Sequence, residues 1–155
     1  MGVSASDYRT SKFTLKDQDA VDHIHRLVEL LKDEENHYGG YYFDDHFIDI
    51  YKTGDEFTFR IRTGGYADSS PELRRSAVYE TDEDDCDDEP VDLFSEIQSN
   101  LKEGTYFTSM CCENDKSGMY FYMYLHHADG RNEYMSSSDV EKELLKKMGL
   151  ENSER

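Results

Sequence analysis

Seven carboxylates lie within eight consecutive positions in the second half of the chain. They are Asp82, Glu83, Asp84, Asp85, Asp87, Asp88 and Glu89. Carboxylate oxygens bind calcium, but this run lacks the glycine-containing spacing of a calcium loop. A row of carboxylates can also take the place of phosphates before a groove lined by Arg or Lys. Because the run has too few apolar residues to pack, we expect a mobile acidic loop over residues 82–90. It either binds a basic partner as a DNA mimic or only keeps the chain soluble.

A second group of chemically capable residues is Asp44, Asp45 and His46. Carboxylates beside an imidazole are ingredients of metal and acid–base sites, so an enzyme centred here is one hypothesis. Exposed polarity on a hairpin explains the same pattern and is favoured. His126 and His127 are neighbours on a predicted strand, so their side chains diverge. We therefore expect no catalytic residue, no metal site and no cofactor.

The cysteines indicate a reducing compartment. Cys86, Cys111 and Cys112 are odd in number and lack the spacing of a zinc site. The first fifteen residues contain no apolar run of signal-peptide length, and no stretch approaches the roughly 20 apolar residues of a spanning helix. We expect a cytoplasmic protein of one domain, residues 1–155, with no membrane partner.

The net charge is −18, from 35 acidic and 17 basic residues. Such a surface repels nucleic acid and anionic membranes, so direct binding to nucleic acid is not expected. Adaptation to high salt gives the same sign of charge, but with more Ala and Val than this chain contains. The expected partner is a basic protein that itself binds nucleic acid, and a homodimer is left open.

The stretch from Met119 to Leu125 shows the clearest strand pattern. Tyr120, Tyr122 and Tyr124 alternate with Met and Phe residues at a period of two. The side chains on both faces of this strand are large and uncharged. The strand is therefore either covered on both sides or presents its tyrosines to a partner.

Other patterns predict the elements around this strand. Helical periodicity indicates helices over Asp17–His37 and Val91–Glu103, and a capping box beginning at Ser138 opens a C-terminal helix over 138–148. Strands are predicted at Tyr8–Leu15, Tyr41–Tyr51, Glu56–Thr63, Ser76–Thr81 and Thr105–Cys112. Gly64–Leu73 is predicted to be a loop.

An internal duplication is indicated by a shift of 64 residues. It aligns Asn36 with Asn100 and Phe57 with Phe121, among seven identical pairs without a gap. Each half, residues 8–65 and 76–130, then consists of strand, helix and hairpin. In this alignment the outward face of the sheet is polar at Arg60 and Arg62 in the first half and aromatic in the second.

The predicted fold class is therefore α+β: an antiparallel sheet from two repeats, with helices packed on one face and a C-terminal helix. This order of elements resembles the duplicated modules of gyrase-inhibitor-like proteins, some of which bind small molecules between the halves. The resemblance covers topology only, so no residue is carried over from that family.

Together these patterns predict a non-catalytic acidic protein that inhibits a basic, nucleic-acid-handling protein. Anti-defence proteins of viral origin and immunity proteins against nuclease toxins are two versions of this class. The predicted contacts are the acidic run and the tyrosines at 120, 122 and 124. The alternative is a small-molecule sensor with a cleft between the halves, lined by Phe59, Phe121 and Met123.

Overall fold

An antiparallel sheet of seven strands organises the part of the chain that our computed structural model describes, namely residues 5–36, 48–65, 71–80, 89–115 and 118–149. Only the backbone is described for residues 5–7, 34, 64–65, 113–115 and 118–120. The described strands are β1 (Ala5–Thr10), β2 (Phe13–Thr14), β3 (Ile48–Lys52), β4 (Thr58–Gly65), β5 (Glu72–Arg74), β6 (Pro90–Asp92), β7 (Tyr106–Asp115), β8 (Gly118–His127) and β9 (Asn132–Ser136). The described helices are α1 (Gln18–Lys32), α2 (Arg75–Tyr79), α3 (Leu93–Ser99) and α4 (Ser137–Lys147), with a 3-10 turn over Glu34–Asn36.

The first strand lies in the middle of the sheet. β4 pairs with β3 along one edge and with β1 and β2 along the other. From β1 the sheet continues through β7 and β8 to β9. Tyr8 of β1 is therefore paired with Thr63 on one side and with Cys111 on the other. β5 and β6 form a separate two-stranded ladder. The predicted α+β class with an antiparallel sheet is confirmed.

Helix α1 confirms the helix predicted to begin near Asp17. The Asp17 carboxylate caps its first turn by accepting a hydrogen bond from the Ala20 amide at 2.8 Å. Its buried face is Ala20, Val21, Ile24, Leu27, Val28 and Leu31. The helix ends at Lys32, five residues before the predicted end at His37, which lies outside the described residues.

The core lies between α1, α3 and one face of the sheet. Phe107 of β7 is fully buried there, with its ring centroid 5.6 Å from that of Phe13 and 6.3 Å from that of Phe94. Ile61 of β4 is buried in the same cluster. We call this side of the sheet the helix face and the other side the open face.

Several short elements differ from the predictions. Residues 76–79 of the strand predicted at Ser76–Thr81 lie instead in α2, which ends where Glu80 adopts a left-handed φ of 51°. Thr81 lies outside the described residues. The predicted loop over Gly64–Leu73 contains the start of β5, and β9 was not predicted. The C-terminal helix is present over 137–147, but its capping box uses Ser136 with Asp139 rather than Ser138. Residues 41–47 and 82–88 lie outside the described part of the chain.

The tyrosines of β8 lie on the opposite face from the one predicted. His126 pairs with buried Phe107 and therefore lies on the helix face. Tyr124 and Tyr122 precede it by two and four residues on the same strand, so their side chains lie on that face as well. The prediction of an outward-facing tyrosine row, away from the helices, is wrong. Arg60 aligns with Tyr124 in the duplication yet lies on the open face, so the halves do not present equivalent faces.

Candidate functional site

Three tyrosines form an aromatic cluster at the β8–β9 end of the helix face. The Tyr124 ring lies 5.0 Å from the Tyr134 ring, and the Tyr122 ring stacks on Tyr134 at 6.3 Å. Tyr124 and Tyr134 are 41% and 53% exposed, whereas Tyr122 is half-buried. Tyr120 lies on β8, but only its backbone is described. We call Tyr122, Tyr124 and Tyr134 the tyrosine cluster.

The cluster is the solvent-facing end of a series of rings that begins in the core. Phe107 stacks on His126 at 4.6 Å, and His126 stacks on Tyr124 at 6.0 Å. Partial desolvation raises the pKa of Tyr134, and the nearby phenol of Tyr124 acts in the same direction. Its hydroxyl is therefore neutral at pH 7 and can donate as well as accept a hydrogen bond. Sequence analysis missed Tyr134 because β9 has no alternating apolar pattern.

A buried polar network lies beneath this series. Ser109 Oγ is 2.7 Å from His126 Nε2, and His126 Nδ1 is 3.2 Å from Asn132 Oδ1. The Gln98 amide donates to the same Asn132 oxygen at 2.8 Å and to the His127 carbonyl at 2.9 Å. These partners assign the proton to Nδ1, so that the Ser109 hydroxyl donates to Nε2.

Hydroxyl, imidazole and amide in this order resemble the components of a nucleophilic site. The exposed fractions are only 3% for Ser109 and 9% for His126, and both side chains lie on the core side of the sheet. A substrate would reach the hydroxyl only if the core opened. Burial lowers the pKa of His126, so the imidazole is neutral at pH 7. The network therefore satisfies buried polar atoms and joins α3 to β7, β8 and β9.

A second surface is acidic and surrounds an open, solvent-facing cavity of about 360 Å³. Its lining includes Tyr79, Glu89, Asp92 and Glu96. The Tyr79 hydroxyl donates to Glu96 at 3.1 Å, and His23 Nε2 is 3.0 Å from the other oxygen of Glu96. Burial raises the pKa of Asp92, whose carboxylate also caps α3 through the Phe94 amide.

The predicted acidic run is only partly described. Glu89 is exposed beside the cavity, whereas Asp82, Glu83, Asp84, Asp85, Asp87 and Asp88 lie outside the described residues. Glu80, at the end of α2, is 3.2 Å from the Arg26 guanidinium. The described chain therefore enters and leaves the run at α2 and β6, beside other carboxylates.

The open face is apolar at one end and basic at the other. In register across six strands it carries Asp49, Arg62, Arg9, Met110, Met123 and Met135. Phe121 and Leu125 are half-buried on the same face. Phe59 is buried on the helix face, so the predicted cleft that shared it with Phe121 and Met123 is wrong. Phe59 lies on the helix face, whereas Phe121 and Met123 lie on the open face, so the sheet itself separates them and they cannot line one cleft.

The remaining chemical prediction concerns the carboxylates beside His46. Asp44, Asp45 and His46 lie outside the described residues. Within the described ranges, no three His, Cys, Asp or Glu side chains come together as a metal site requires. The described helices are all too short or too polar to cross a membrane. The chain matches no protein-family model, no curated protein and no solved structure in the comparisons made.

Proposed function

We propose that this protein acts in the cytoplasm as a non-catalytic binding protein that inhibits a basic, nucleic-acid-handling protein. The observation that carries the proposal is an exposed tyrosine cluster on a chain of net charge −18. Anti-defence proteins and immunity proteins are the classes that fit this combination. The duplication of residues 8–65 and 76–130 remains a hypothesis about its origin.

The charge and the tyrosines have different roles in this proposal. Carboxylates of the acidic run and of the cavity rim attract a basic partner over a distance and increase the association rate. Tyr124 and Tyr134 supply contacts that lose water on binding, because a tyrosine offers a large ring with few rotatable bonds and a polar end. Their positions on two paired strands hold the rings in place before the partner arrives.

The proposal is tested with immobilised wild-type protein and cell extract of the source organism at low and high salt. A basic nucleic-acid-binding protein should be retained at low salt and released at high salt. Once purified, this partner should associate at least about tenfold more slowly at high salt. Neutralising Asp82, Asp84, Asp85, Asp87 and Asp88 together should also slow association.

A matched pair of variants distinguishes specific binding through the tyrosine cluster from non-specific binding through any exposed tyrosine. Tyr134→Ala should raise the dissociation constant of the purified partner by about tenfold or more. Tyr106→Ala, which truncates an equally exposed tyrosine on the open face, should leave it within about twofold. The proposal would be refuted if the two variants raised the dissociation constant equally, or if the association rate did not depend on salt concentration.

The cavity beside Tyr79 favours a second candidate, a small-molecule binding module. Its volume is within the range of ligand pockets, and Arg75 lies over the Tyr79 ring at 5.8 Å. A metabolite that raises the melting temperature of wild type but not of Tyr79→Ala would support this candidate.

A further inference from the structure

Helix α4 carries an apolar stripe that is half-buried at Val140 and exposed at its other two residues. Val140, Leu144 and Met148 follow one another at intervals of four residues and so share one side of the helix. Leu144 is 54% exposed and Met148 is 69% exposed, and no residue of α4 is buried. The capping box at Ser136 and Asp139 nevertheless defines the start of the helix. We call these three residues the α4 stripe.

The open face offers a surface of matching character. Met110, Met123 and Met135 lie side by side on β7, β8 and β9, with Phe121 and Leu125 beside them. Methionine side chains are flexible and adapt to the shape of an apolar partner. A helix of 11 residues is about 16 Å long, and three neighbouring strands span about 10 Å. The α4 stripe therefore has the length needed to cross this patch.

Charge on the open face favours an acidic occupant. In register, the apolar patch continues from Met110 to exposed Arg9 on β1 and then to exposed Arg62 on β4, and these side chains would repel a basic partner on this face. The α4 stripe has Glu141 on one side, which Arg side chains attract, and Lys147 on the other. In a chain of net charge −18, two copies repel each other unless the contact includes such basic residues.

We propose that the occupant of the open face is a second copy of this chain, which contributes its α4. Each copy packs its α4 stripe on the methionine patch of the other, so that a two-fold axis relates two identical contacts. The methionine patch lies on the opposite face of the sheet from the tyrosine cluster.

Photo-cross-linking tests the contact in the full-length protein. p-Benzoylphenylalanine is introduced in place of Leu144, and light chains are mixed with isotopically heavy chains before irradiation. The expected product is a mixed dimer whose cross-link maps to the peptides that contain Met110 or Met123. Replacement of Lys142, on the opposite side of α4, is the control and should give no such product.

Sedimentation velocity over a concentration series measures the strength of the dimer. Leu144→Gln should raise the dimer dissociation constant by about tenfold or more, because each copy loses one buried leucine contact. Lys142→Gln places the same residue on the opposite side of the helix and should change it by less than about twofold. Since Leu144 is exposed in one chain, its replacement should leave the unfolding of the monomer unchanged.

Three results would overturn the proposal. The first is wild-type protein that sediments as a monomer up to about 200 µM. The second is a cross-link from position 144 that stays within one chain, which would mean that α4 covers its own open face. The third is a cross-link between chains that maps away from β7 and β8.

Discussion

Replacing Ser109 with alanine is expected to destabilise the protein by about 2 kcal/mol, because it leaves a buried imidazole nitrogen without its donor. The hydroxyl is 2.7 Å from His126 Nε2, and both side chains are buried. A buried polar atom that loses its hydrogen bond destabilises the folded state by about 1–3 kcal/mol. For a domain of this size, about 2 kcal/mol lowers the melting temperature by about 4–8 °C.

The free energy of unfolding is measured by urea denaturation, followed by circular dichroism at a concentration where the protein is monomeric. Ser99→Ala is the matched control, because the Ser99 hydroxyl is exposed and donates to the Ser95 carbonyl of its own helix. This control should stay within about 0.5 kcal/mol of wild type. A Ser109→Ala variant as stable as the control would show that Nε2 has no buried bond to Ser109 and would refute the tautomer assigned to His126.

Two further changes test the same region. Burial holds the pKa of His126 below its ordinary value of 6.5, so the unfolded chain binds this proton at a higher pH than the folded chain does. The free energy of unfolding should therefore fall as the pH drops from 6.5 through the lower pKa of the folded state. His126→Gln should make this decline shallower, which urea titrations at successive pH values would measure. Phe107→Ala should destabilise the protein by about 3–5 kcal/mol, because it empties a fully buried site, whereas Tyr106→Ala at the exposed neighbour should change stability by less than about 1 kcal/mol. Equal losses for these two variants in thermal unfolding would contradict the assigned burial.

Long periodic segments were predictable from the sequence. The spacing of Ile24, Leu27 and Leu31 predicts α1, because only a helix places these residues on one buried face. Likewise, alternation over Met119–Leu125 predicts β8. The hairpin predicted for the second half of the chain is present as β7 paired with β8. Such patterns repeat the same physical requirement several times, so one irregular position does not obscure them.

The assignment of faces could not be predicted from alternation. A period of two separates Tyr122 and Tyr124 from Phe121 and Met123, but it does not show which set lies under the helices. That depends on how far α1 and α3 reach across the sheet. They cover Phe107, whereas Tyr134 beyond it remains 53% exposed.

Short elements and the polar network also left weak signals. β5 and β6 have three residues each, too few to show a period, and α2 buries only Val78. The network needs Ser109, His126 and Asn132 from three different strands, so it depends on strand register. The one available signal was that Ser109 and His126 are polar residues in phase with apolar ones on their strands.

The central position of β1 affects how the protein folds during synthesis. β1 is synthesised before β7, and Tyr8 pairs with Cys111, which is made about a hundred residues later. Until β7 is available, one edge of this strand has no partner and can pair with other nascent chains. Slower translation between β1 and β7 should therefore increase aggregation, and a chaperone that binds β1 should reduce it.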